Sequence, residues 1–545
     1  MPPTTPASAA PPNVLRDALF TVEADDGVST TSLPTLLARL STPGDAIQRL
    51  PRLTAEQRGP VWRFHVRAAA EAFHTLGRGL PGPGDAVPAL AGEIASVLAE
   101  RAGGEGAWAL HAPDVGEPAF LQPPVPGGGT PEAAGYERGT VSRLTLAMGG
   151  KAHERKTEQA RALDAERLVN ALITFQGGVI YTKRNYEAPL MGSRSGKGSG
   201  TPYVGARLAG PLNATFRHDL LTTLMRWETV RRDRGLRGRV WALWTVPWDG
   251  ESSLQSSELD PAFIPCARLI RVGASGDDGR WSTLWSRPTG KPRVEDVTQN
   301  SGLGDVFLPL VANPKRPGGQ KARGTMATGY RYDEVVRLLF GAGDQPTVPS
   351  PSAEALLTAP PPEGARLRFE GVAFDQGKTL GFHQRAVLVP QGNYLADGTV
   401  AVLHALHTRF LDVIKSAQSA LQGAARILLL GTPKPNRHAA KKTQSGPQAL
   451  QAAVDAVYIP RLLDAVRDVR ARSDDAGDDG AEEADAAHEA AVDAWRSWVR
   501  DESLRIFRRR VLFDVPSSTN TRLRREVGAE AYLLRKLAGA PHGAP

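Results

Sequence analysis

The chain changes character once, near residue 396, and that change limits what it can fold into. From there onward strand signals stop and apolar residues recur at helical spacing. The periodicity predicts four long helices, at roughly 399–430, 446–472, 481–513 and 519–538. Leu403, Leu406, Phe410, Val413, Ile414 and Leu421 line one face of the first. Val454, Val457, Leu462, Leu463 and Val466 do so in the second, with Pro460 an expected kink. Trp495, Trp498 and Phe507 serve the third. Antiparallel neighbours with a common apolar face make a four-helix bundle, so residues 396–545 are expected to form one.

Before the break the chain reads differently. Residues 1–17 look like a disordered tail, and residues 18–390 mix strands and helices in one large α/β domain. The expected fold class is therefore α+β, a mixed N-terminal domain followed by a C-terminal four-helix bundle. Within the first part, 19–40 reads as strand, turn, strand and helix. Helices are expected at 54–77, 86–102, 160–178 and 215–234. The segment 241–250, WALWTVPWDG, reads as an aromatic strand, and 267–275 with 280–285 as a hairpin. His65 lies in the 54–77 helix without a ligand partner at useful spacing and reads as a core or surface histidine. His404 and His407 have no nearby carboxylate or cysteine to complete a metal site.

A formal charge of +8 and a pI near 9.6 favour a polyanionic partner, of which nucleic acid is the commonest. The single cysteine, Cys266, excludes an internal disulfide framework and a multi-cysteine zinc site. No metal or cofactor is expected. No apolar run reaches the ~18–20 residues of a membrane span, and the N-terminus lacks a basic-then-apolar secretory pattern, so a cytoplasmic protein is expected.

The stretch 191–208, MGSRSGKGSGTPYVGARL, carries five glycines with Arg194 and Lys197 among them. Glycines let backbone N–H groups face a partner closely, and two cations beside them suit phosphate. It is not a Walker A loop. Gly192 and Gly196 are one residue too close, and Gly198 follows Lys197 where Ser or Thr belongs. A flexible surface loop is the plain alternative. Basic residues recur elsewhere: Lys151 and Lys156, Lys183 and Arg184, five arginines between 231 and 239, Lys291, and Lys434, Arg437, Lys441 and Lys442. Each such run is either a phosphate-contacting surface or a solvated face. Residues 366–390 read as two strands around a turn at Asp375, Gln376, Gly377 and Lys378. Phe369, Val372, Phe374, Leu380, Phe382, Val387 and Leu388 are the expected anchors of that hairpin. No Ser elbow, HExxH pattern, paired nuclease carboxylates or helicase motif is present, so no catalytic residue is assigned.

Several stretches, in order, are familiar together: 50–73, PAFLQPP at 118–124, RNYEAPLMGSRSGKGSGTPYVGA at 184–206, WTVPWDG at 244–250, and FEGVAFDQGKTLGFHQRAVL at 369–388. With the bundle, they resemble the CasA family, the large subunit of the type I-E CRISPR Cascade complex. The resemblance implies a non-catalytic subunit of an RNA-guided complex that reads the short protospacer-adjacent motif (PAM) in double-stranded DNA. It also implies help in opening the duplex for R-loop formation, with recruitment of a helicase–nuclease. Guide-RNA-bearing Cascade subunits, target DNA and that nuclease are the implied partners.

By position, the family's glutamine wedge falls on Gln376, between Asp375 and Gly377, with Lys378 beside it. Its glycine loop falls near Met191 and Gly192, with Arg194 and Lys197 following, and Lys291 matches a PAM-contacting lysine. Weaker DNA-backbone contacts are assigned to Lys183, Arg184, Lys151, Lys156, Arg437, Lys441 and Lys442. Ala188, Pro189 and Leu190 replace glycines that face the groove elsewhere, so PAM preference does not carry over. The alternative class is a stand-alone basic nucleic-acid-binding protein of repair or RNA-processing type. A nucleotide-dependent enzyme with a phosphate cradle at 191–202 is disfavoured by the broken Walker spacing.

Overall fold

The computed structural model describes residues 10–145, 162–177, 202–295, 304–312, 320–341, 347–375, 378–435, 437, 439, 441–475, 480–514 and 522–538. These form two compact units, one of residues up to 356 with 362–387, the other of 357–361 with 388 onward.

The first unit opens with β1 (Phe20–Ala24) paired to β2 (Gly27–Thr31), then α1 (Leu33–Ser41) and β3 (Ile47–Arg49), giving the sheet order β2-β1-β3. Helix α2 (Ala55–Leu76) runs through the middle of the core. It starts where Gln57 reaches back to the Thr54 N–H and stops where Gly77 turns left-handed at φ 61°. Every residue from Val61 to Phe73 is buried, so the helix is covered on all sides there, while Leu53 just before it is half-buried. His65 is fully buried between the edges of Phe20 and Phe64, and burial drives its pKa down to about 3, so the ring is neutral. Helix α3 (Val87–Arg101), β4 (Glu137–Thr140) and α4 (Ala165–Gln176) follow.

Next come β5 (Tyr203–Arg207), α5 (Leu212–Met225), α6 (Trp227–Asp233), β6 (Val240–Ala242), β7 (Leu259–Ile264), β8 (Leu269–Val272) and β9 (Thr283–Arg287). Two expectations need correction here. The 215–234 helix is two helices, because the backbone at Arg226 leaves helical geometry and turns Trp227 inward to stack on His74 at 4.0 Å. The 241–250 segment is not a strand beyond Ala242. Trp241, Leu243, Trp244 and Trp248 are all buried, which strict alternation cannot achieve, so the chain coils after β6. The coil also gives the Trp244 indole N–H the Ala107 carbonyl at 2.9 Å and that of Trp248 the Ser252 carbonyl at 2.8 Å. The β8–β9 hairpin is as expected, with β4 on its other side.

The loops around these short sheets are held by buried arginines bonded to backbone carbonyls. Arg271 donates to Val115 and Pro123. Arg293 donates to Leu243 and Val246 at 2.9 and 2.8 Å while lying over the Trp248 ring. Arg268 donates to Phe175 and covers its ring. Cys266 is buried beside them, its thiol pushed up to about 12 by burial, so it is unreactive.

The unit ends with β10 (Leu310–Ala312), β11 (Gln320–Ala322), α7 (Tyr332–Phe340), β12 (Thr347–Val348), α8 (Pro351–Leu357), β13 (Arg366–Asp375) and β14 (Lys378–Leu388).

The second unit is helical: α9 (Thr399–Leu430), α10 (Ser445–Asp475), α11 (Gly480–Ile506) and α12 (Arg522–Leu537). The expected α+β class and terminal bundle are therefore present. Helix α10 runs antiparallel to α9: His407 meets the Tyr458 hydroxyl at 2.6 Å, and Gln418 meets Gln451 at 3.0 Å. The core is aromatic, with Phe410 stacked on Trp495 at 4.9 Å and Trp495 on Trp498 at 5.1 Å. Tyr458 and Ile459 take the buried positions where Val457 was expected, and Val457 is only half-buried. Helix α12 crosses back along the C-terminal half of α9, where Arg525 donates to the Leu429 carbonyl and Gly423 leaves room for Tyr532.

Candidate nucleic-acid interface

Three of the strands join two stretches that the sequence singled out. They form one sheet in the order β14-β13-β5. Strand β5 is antiparallel to β13, with Tyr203 opposite Glu370 and Arg207 opposite Arg366. Strand β13 runs from Arg366 toward Asp375, so Tyr203, the first residue of β5, lies opposite the middle of β13, five residues short of Asp375. The strand that follows the glycine stretch therefore pairs with the first half of the strand that leads to residue 375. Residues far apart in sequence are joined by this backbone pairing.

Strand β13 is buried over most of its length, and Gly371 shows why. A Cβ at Gly371 would fall 2.0 Å from the Thr325 hydroxyl oxygen and 2.5 Å from that of Tyr330. Only glycine allows that approach, which lets the Tyr330 hydroxyl donate to the Glu370 carbonyl at 2.8 Å. Of the expected hairpin anchors, Phe369, Val372, Phe374 and Val387 are buried, but Leu380 and Leu388 are 49% and 43% exposed. Among the described residues strand β14 is the sheet edge, with only β13 paired to it.

Met191, Gly192, Arg194 and Lys197 lie outside the described residues, as do Lys151, Lys156, Lys183, Arg184, Gln376 and Gly377. Asp375 and Lys378 are the ends of β13 and β14. Lys291 is exposed, and its N–H donates to the Gly250 carbonyl at 3.0 Å, which ties it to the WTVPWDG turn. The arginine run after α5 is mostly engaged: Arg231 pairs with Glu228, Arg232 with Asp233, and Arg234 with the Gln320 side chain.

In the second unit, Arg437, Lys441 and Lys442 are exposed in the α9–α10 connection, beside exposed Lys434. Sequence periodicity missed their neighbours. Helix α11 passes into a π-helical turn, Phe507–Val511, that buries Phe507 and Val511 and leaves Arg508, Arg509 and Arg510 exposed. Arg508 pairs with Glu530, and Arg522 at the start of α12 donates to the Leu512 carbonyl. One end of the bundle thus gathers the basic α9–α10 connection, Arg508–Arg510 and the arginine-rich start of α12. At the other end α11 begins with exposed Glu482, Glu483 and Asp485. The run Arg508–Arg510 was visible as letters. What hid it was its position inside a helix read only for its apolar face.

No protein-family model matches the chain, and no curated protein matches it in sequence. Solved structures do match in shape. CasA (Cse1) of Thermus thermophilus superposes with a TM-score of 0.61 at 14% identity, over 97% of this chain and 100% of that one. The chain has the CasA fold. Cse1 of Acidimicrobium ferrooxidans gives 0.61 at 14% identity over 98% of each chain. A chain of a CRISPR RNA-guided surveillance complex gives 0.56 at 13% identity, over 97% of this chain and all of that one. The CasA fold extends over both units, not one borrowed domain. Among the described residues no helix is long and apolar enough to cross a membrane.

Proposed function

We propose that this protein is the large, non-cutting subunit of an RNA-guided CRISPR Cascade complex. In this reading it recognises the PAM in double-stranded DNA, promotes duplex opening and R-loop formation, and recruits a helicase–nuclease. What supports the proposal is the CasA fold over both units, together with the pairing of β5, which follows the glycine stretch, with β13, the strand that leads to residue 375. A minor-groove reader needs close backbone approach and a few donors rather than a recognition helix, because the groove's pattern is degenerate. Glycines with Arg194 and Lys197 supply the first, and Gln376 supplies a short wedge that both donates and accepts. Lys291 and the basic end of the bundle add phosphate contacts, which supply affinity without reading sequence.

The test is a reconstituted complex, with guide RNA and partner subunits, on fully paired duplexes and on duplexes pre-opened beside the PAM. Gln376→Ala should slow R-loop formation about 10-fold on the paired duplex, a barrier change of about 1.4 kcal/mol, and spare the pre-opened one. Equal rates for mutant and parent on paired DNA remove Gln376 from the mechanism. A subunit that binds duplex tightly alone and never joins the complex is instead a stand-alone nucleic-acid-binding protein.

A further inference from the structure

Two buried carboxyls in the first unit share one cation. Glu71, on α2, is 1% exposed, and its Oε1 accepts from the Nε of Arg101, the last residue of α3, and from the Thr75 hydroxyl at 3.5 Å. The Arg101 Nη2 donates to Asp260 on β7 at 3.3 Å and to the Arg239 carbonyl at 3.3 Å. Asp260 is 7% exposed, and its Oδ1 accepts the Ala262 N–H at 2.8 Å. The carboxyls of Glu71 and Asp260 face each other within hydrogen-bonding reach. The second oxygen of Glu71 is buried, and among the described residues no N–H or hydroxyl reaches it.

Two further cations border the pair, both on α2. Arg67, one turn before Glu71, acts on Asp260 but donates to the Phe263 carbonyl and lies 3.8 Å from Asp305. His74, one turn after, also acts on Asp260 and stacks on Trp227 of α6 at 4.0 Å. Among the described residues Arg101 is the cation bonded to both acids.

Two carboxylates sharing one guanidinium would leave a net negative charge out of water, and like charges this close do not both ionise. A proton on Glu71 removes the excess and turns its empty oxygen into a donor to Asp260. Burial, and then the Asp260 charge, push Glu71 up to about 8 from its usual 4.5, and burial raises Asp260 as well.

We propose that Glu71 and Asp260 hold a single shared proton at neutral pH, and that its loss in alkali loosens the start of β7 from α2 and α3. The pair is then a proton-controlled clasp. It holds the end of the arginine run too, since Arg101 bonds the Arg239 carbonyl and the Gly238 N–H donates to the Leu259 carbonyl at 3.1 Å. The clasp goes beyond the function proposed above and does not depend on it.

The folded chain keeps a proton that the unfolded chain releases. The stability this gives is fully present below pH 4.5, is lost as pH rises toward 8, and is level above that. Between pH 6.5 and 8, where His65 is neutral folded or unfolded, the folding constant of the first unit should fall by up to about 10-fold per pH unit. Glu71→Gln is neutral at every pH and still donates to Asp260, so the fall should vanish from its curve. Asp260→Asn leaves one acid to one guanidinium and should remove most of it. A packing role alone would shift the curves and keep their slope.

The infrared difference between parent and Glu71→Gln at about pH 7 should show a protonated-carboxyl band in the parent. Amide exchange, corrected for the intrinsic effect of pH, should quicken at Gly238 and Ala262 between about pH 7 and 9 in the parent, with β9 unchanged. In Glu71→Gln it should not. Parallel stability curves for the parent and both variants, or no such band, overturn the shared proton. Parental exchange at Gly238 and Ala262 that ignores pH overturns the clasp.

Discussion

The two units reach stability by different means. The bundle is a periodic object. Its core is Phe410, Tyr458 and Trp495 with aliphatic neighbours, and among the described residues most of its charge pairs sit on exposed faces, such as Arg409 with Glu489 and Arg467 with Asp464. Exposed pairs contribute little, so burial of apolar area carries the bundle. The first unit has short sheets and long irregular connections, and it closes them with buried polar bonds. Asp219 inside α5 accepts from Trp62 and Ser352, and Arg271 and Arg293 bind carbonyls. The difference teaches that irregular backbone can be buried only where something supplies its missing partners, and here arginine supplies many of them.

That contrast can be broken, most strongly by truncation of a side chain on each side. Trp495→Ala should cost the bundle about 3–5 kcal/mol, with little dependence on salt. Asp219→Ala should cost the first unit about 2–4 kcal/mol, because two buried donors lose their acceptor. Denaturant unfolding with separate probes for the two units would check both. A bundle that loses less than the first unit would reverse the comparison.

The next effect is on pH dependence. His65 has its folded pKa near 3, below its unfolded value of 6.5, so the unfolded chain binds its proton first. Its contribution is fully present above pH 6.5 and is lost as pH falls from 6.5 toward 3. The slope should be up to about 1.4 kcal/mol per pH unit. His65→Leu should flatten the acid limb of the first unit's stability curve by that amount and leave the bundle's curve alone. An unchanged slope would mean the ring is protonated in the fold.

The smallest effect sharpens the comparison at the surface. Arg508→Ala with Arg509→Ala and Arg510→Ala should leave unfolding of the bundle within about 0.5 kcal/mol of the parent. It should also reduce the salt slope of duplex binding by roughly two to three units, uniformly across sequences. Loss of PAM preference in this variant would show that the basic end reads bases.

Much of the bundle was legible in the sequence, because helical packing leaves a repeating apolar stripe. The four helices appear within a few residues of their expected ends, and the basic and acidic loops were visible as letters. The 366–390 hairpin was equally plain, since its turn residues and apolar strands are local. What no local pattern carried was the pairing of β5 with β13, or the joining of the glycine stretch to the hairpin that follows from it. The break at Arg226 and the coil after Ala242 also escaped, because both answer to distant partners, His74 for the stacked Trp227 and Ala107 for the Trp244 indole. Arg268, Arg271 and Arg293 could not be singled out for a simple reason. Arginine's partners here are largely backbone carbonyls, which every residue possesses, so the sequence holds no complementary letter to search for. By itself it determined where helices and the hairpin form; tertiary structure decided which of their ends meet, because that depends on buried polar groups finding acceptors across the fold.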